Sequence, residues 1–136
     1  MTRRDLWLVL LAAAAYAIIG ITFANFSAWA ATDTVRLLWR SMTWVVSAAV
    51  FAGHIVSGHF LLRKPPRRTA FHASLAAALG AAGVAAAANA KELMGGPGYR
   101  PAMAIALVAW PVLTWIPAYI AARVATAALH RWRPCS

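Results

Sequence analysis

Residues 36–62, RLLWRSMTWVVSAAVFAGHIVSGHFLL, decide the fold, because they join membrane-spanning length to a column of polar side chains. At 3.6 residues per turn, Arg36, Arg40, Thr43, Ser47 and His54 recur at steps of four, three, four and seven, and so share one face of a helix. Leu, Trp, Val, Ala and Phe fill the opposite face. Such a segment lies in lipid with its apolar side outward and turns its polar stripe toward neighbouring helices or a wet cavity.

Three further apolar runs surround it, giving spans at about 6–31, 37–62, 71–90 and 102–122. At roughly 1.5 Å per residue each run of about 20 residues or more covers a hydrocarbon core of about 30 Å. The whole chain of 136 residues is 62% hydrophobic and 12% charged, with a mean hydropathy of +0.66. That is too little charge to cover a soluble surface. The expected fold class is therefore all-α: a single integral membrane domain, 1–136, formed by a bundle of four transmembrane helices.

A net charge of +10 on a soluble protein would suggest nucleic acid, but its placement here indicates topology instead. Arg3, Arg4, Arg63, Lys64, Arg67, Arg68, Arg123, Arg131 and Arg133 fall on one side of a four-span arrangement, and Arg36, Arg40, Lys91 and Arg100 on the other. The positive-inside rule then puts both termini and the middle link in the cytoplasm, in a bacterial inner membrane. Arg63, Lys64, Arg67 and Arg68 are expected to meet anionic lipid headgroups. No aromatics interleave them for stacking bases, so nucleic acid is not an expected partner.

The start, Thr2-Arg3-Arg4-Asp5-Leu6-Trp7, resembles a twin-arginine export signal. The apolar run that follows exceeds the roughly 7–15 residues of a signal peptide, so it reads as an uncleaved first span. Only Thr32-Asp33-Thr34 separate spans 1 and 2, which makes them an antiparallel hairpin with Asp33 placed to cap the second helix and offset Arg36. Span 3 is nearly all alanine and glycine, and Ala76, Gly80, Gly83 and Ala87 mark it as the helix packed among the others. Asn89 near its end needs an internal partner. Pro111 and Pro117 each remove a backbone donor from span 4. The turn-rich residues 95–101 lack the lysine and hydroxyl of a phosphate loop.

The histidines are the candidates for a site. His59 and His72 stand at similar distances before and after Pro65-Pro66, and His130 ends span 4 on the same side. Three imidazoles at one depth suit a transition metal, and two suit haem b; the plainer reading is structural histidines with no cofactor. The hydroxyls of Thr43 and Ser47 have a similar plain reading, bonding to carbonyls of their own helix. No acid lies inside a span and no hydroxyl or thiol stands in a nucleophile motif, so the chain does not read as an enzyme. The small multidrug exporters depend on a glutamate in their first span, which is missing here. The expected role is a structural or accessory subunit or a minor small-solute carrier, alone, as a homo-oligomer or in a larger membrane complex. A metal- or haem-binding redox protein is the alternative.

Overall fold

The computed structural model of the chain describes residues 2–95 and 101–131. Four helices account for nearly all of them: α1 (Arg3–Ala28), α2 (Asp33–Val56), α3 (Pro66–Gly95) and α4 (Pro101–Arg131), with a π-helical turn, Ser57–Leu61, continuing α2. All four are long and apolar enough to cross a membrane. The protein is an all-helical, multi-pass arrangement, as its hydropathy predicts.

The helices outrun the apolar spans because their ends are capped. Thr2 and Asp5 form a capping box: the Thr2 hydroxyl accepts from the Asp5 amide at 3.2 Å, and the Thr2 amide donates to Asp5 Oδ2 at 3.1 Å. At α2 the cap is Thr32, whose hydroxyl accepts from the Val35 amide at 3.3 Å. Asp33, expected to cap, is instead the first helical residue and pairs with Arg36 at 2.7 Å. Pro66 opens α3, where its missing N–H is no loss. α4 stays helical through Pro111 and Pro117.

Small side chains decide the packing. α3 has its largest contacts with α4 and α1, and α2 leans mainly on α1. A methyl group at Gly80 would overlap Tyr16 Cβ and come within 3.1 Å of the Ala13 carbonyl oxygen, so α1 and α3 touch almost backbone to backbone. Further along, Gly20 admits Val84 in the same way. Ala70 and Ala73 of α3 pack with Ala122 of α4 and Ile55 of α2, and Val9 and Tyr16 of α1 pack with Ala76. Phe51 of α2 lies against both clusters. Toward the far end α2 meets α1 through rings: Trp39 lies 5.9 Å from Phe23 and 5.0 Å from Phe26, between centroids. Large apolar side chains, among them Trp44, Ile105, Val108 and Val124, are left exposed on the outside of the bundle. Asn89 finds its partner in its own helix, donating to the Ala85 carbonyl at 2.8 Å.

The π turn ends in an unusual cap. Leu62 N–H donates to the Ser57 carbonyl at 3.0 Å and Lys64 N–H to that of Gly58 at 3.1 Å, which requires Arg63 to adopt φ 46°. A left-handed backbone costs a residue with a Cβ about 1–2 kcal/mol, and glycine returns part of that as lost chain entropy. Arg63→Gly is therefore expected to raise stability by about 0.5–1 kcal/mol, read by reversible unfolding in mixed micelles. A loss of stability would show that the Arg63 side chain, rather than its backbone, holds the turn.

Candidate binding cavity

The start of α1, the end of α2 and the start of α3 meet at one end of the bundle. The wider π turn brings Gly58 so close to α3 that a methyl there would lie 2.8 Å from Thr69 Cγ2. Beside this contact the three ends leave a cavity of about 330 Å³, walled by polar groups of Arg4, Asp5, His54, Lys64, Thr69 and His72 and by Leu8, Leu61 and Leu62.

An ion pair crosses the cavity. Lys64, in the link between α2 and α3, donates from Nζ to Asp5 Oδ1. Their side chains are 17% and 13% exposed, so the pair is only partly screened by solvent. Asp5 is thus engaged twice, by the Thr2 amide and by Lys64. Two further polar residues on the wall, Thr69 and His72, are 1% and 5% exposed. Thr69 Oγ1 and His72 Nδ1 have no hydrogen-bond partner among the described residues. Ser57, also on the wall, donates its hydroxyl to the His54 carbonyl at 3.0 Å, so the helix backbone holds that proton. The arrangement has charge, hydrogen-bonding groups and apolar surface, which suits binding.

The residues of the sequence-derived stripe separate along α2. Arg36 pairs with Asp33, Arg40 is exposed, Thr43 donates to the Trp39 carbonyl at 3.0 Å, and Ser47 is half-buried. Only His54, at the lower end of the stripe, reaches the cavity. His72 joins it there. His59 is fully buried, its ring edge-on to Phe60 at 4.9 Å, and is not among the cavity walls. The side chain of His130 lies outside the described residues, as do residues 96–100 and 132–136. Among the described residues no three His, Cys, Asp or Glu side chains are grouped to hold a metal ion.

Sequence reasoning pairs His59 with His72 by depth, whereas the cavity brings His72 together with His54. His59 lies in the π turn that continues α2 and is buried outside the cavity wall. The Asp5–Lys64 pair also escaped the sequence. Of the four cations expected at lipid headgroups, Arg63, Arg67 and Arg68 are exposed, while Lys64 is drawn inward to Asp5. One weak signal existed: Asp5 is the sole acid on the strongly basic side. The chain matches no family model, no curated protein and no solved structure, so its function has to be read from its own residues.

Proposed function

We propose that this chain is a small non-enzymatic protein of a bacterial inner membrane that binds a small solute in the end cavity and carries it across. The cavity carries this reading: a partly enclosed chamber with paired charges and two imidazoles, at one end of a bundle of membrane-spanning length. The bias of nine cations against four supports an orientation with that end, and both termini, in the cytoplasm. Phe51 of α2 packs against both apolar clusters. His54 belongs to both the stripe and the chamber.

The test is efflux of preloaded acetate, phosphate or glycerol from liposomes containing the pure protein. Selective efflux is expected, slowed about tenfold in Lys64→Gln, the loss of one charge-assisted contact. Arg40→Ala is expected to slow it as well, through loss of the cation at the far mouth. No efflux above empty liposomes for any of these solutes would sink the carrier reading.

One observation favours a second role, as an accessory subunit or a homo-oligomer. α2 rests mostly on α1, and its stripe residues Arg40, Thr43 and Ser47 are left exposed or half-buried. Stable co-purification with another membrane protein from mild detergent would support that role.

A further inference from the structure

We infer that the end cavity binds a small oxyanion, a phosphate or carboxylate group, and that Asp5 holds the anion's place on Lys64 until one arrives. The inference rests on reading the cavity as the solute site and names the chemistry of that solute.

Charge decides first. The walls contribute Arg4 and Lys64 against the single carboxylate of Asp5, an excess of one positive charge with both imidazoles neutral. Two helices, α1 and α3, begin at this cavity while α2 ends there through its π turn, so the helix dipoles leave a net excess of one positive end. A cation entering would face two fixed cations for one acid. An anion would face the reverse.

Hydrogen bonding decides next. An ammonium has three protons to donate, and Lys64 Nζ has one described hydrogen bond, to Asp5. Arg4 supplies a planar fork suited to two oxygens of one group. Thr69 and His72, both more than nine-tenths buried, add a hydroxyl and a ring nitrogen that have no partner among the described residues. A cavity of 330 Å³, at about 30 Å³ for each water-sized group, holds about ten non-hydrogen atoms. Leu8, Leu61 and Leu62 on the wall would accept the alkyl part of a carboxylate or the glycerol of a lipid.

The Asp5 carboxylate already makes, within the chain, the contact that a free oxyanion would make with Lys64. Its presence should weaken anion binding by competition, and neutralising it should release Lys64.

The experiment titrates the full chain, purified in a neutral detergent, with sodium phosphate and sodium acetate. Sodium chloride at matched ionic strength and tetramethylammonium chloride serve as controls, and heat of binding is the readout. Wild-type protein is expected to bind phosphate or acetate in preference to both controls. Asp5→Asn is expected to tighten that binding about tenfold, Lys64→Gln to abolish it, and Arg68→Gln, an exposed cation outside the cavity, to leave it unchanged.

Folded Asp5→Asn with unchanged or weaker binding, or Lys64→Gln binding like wild type, would overturn the inference. Should Asp5→Asn not fold, the wild-type comparison decides alone: preference for tetramethylammonium, or no preference, overturns it. Repeating the titration in bilayer discs identifies the source of the anion. If phosphatidylglycerol discs weaken phosphate binding relative to discs of a neutral galactolipid, which has no phosphate, a lipid headgroup fills the site; equal binding assigns it to a free anion. Anion binding without efflux would remove the carrier role and keep the site, whereas efflux of glycerol without anion binding would do the opposite.

Discussion

Gly80→Val is expected to destabilise the bundle by about 3 kcal/mol or more, at the upper end of overpacking effects. The Cβ alone would overlap Tyr16 Cβ and press on the Ala13 carbonyl oxygen at 3.1 Å. Neither is the free end of a flexible side chain, so relief requires α1 and α3 to separate. Separation is costly in lipid, where close van der Waals contact rather than a hydrophobic driving force holds helices together. It would also disturb Val9 and Ala76, which share a cluster with Tyr16. Ala86→Val, an exposed position on the same helix, should change stability by no more than about 0.5 kcal/mol. Both are read by reversible unfolding in dodecyl sulfate, followed by circular dichroism. Equal effects from the two variants would mean that α1 and α3 do not meet at Gly80.

The second large effect belongs to the ion pair. Lys64→Met leaves the Asp5 carboxylate in a partly enclosed site beside Leu8 and Val9 without its cation, and Asp5→Asn leaves the ammonium in the same position. Asp5→Asn/Lys64→Met together removes both charges. The double variant is therefore expected to be more stable than the two single effects added, with a coupling of about tenfold in the unfolding constant. High salt should reduce the coupling only partly, because solvent reaches less than a fifth of either side chain. Strict additivity would show that the two charges do not interact, and would remove the competitor role given to Asp5.

Both predictions concern contacts between residues far apart in the chain. Gly80 is conspicuous in the sequence, since Ala76, Gly80, Gly83 and Ala87 line one face of α3 and announce a close neighbour. Which helix approaches, and that Tyr16 and Ala13 face Gly80, is visible only in the fold. Asp5 and Lys64 are separated by 59 positions. In the sequence Lys64 has an adequate local explanation as a member of a basic link, and Asp5 is only the single acid of a basic start. The structure supplies both roles of Asp5: one oxygen takes the Thr2 amide and the other takes Lys64.

The histidines show where local period reaches its limit. His54 lies on the stripe as the 3.6 repeat requires, and the structure puts it in the cavity wall. Beyond it His59 lies in the π turn, buried with its ring edge-on to Phe60 and outside the cavity wall. The π turn sets Gly58 against Thr69 and leaves no periodic signature in the sequence.

The sequence by itself determined the helices, their number and their length sufficient to span a membrane. These depend on local quantities, apolar runs of about 20 residues and prolines at a link, each acting within a few residues of itself. The tertiary structure alone decided that the neighbours of α3 are chiefly α1 and α4, that Lys64 turns inward to Asp5, and that His54 and His72 share a cavity. Those outcomes depend on how helix surfaces fit and on where one turn widens, and both arise from contacts between residues distant in the chain.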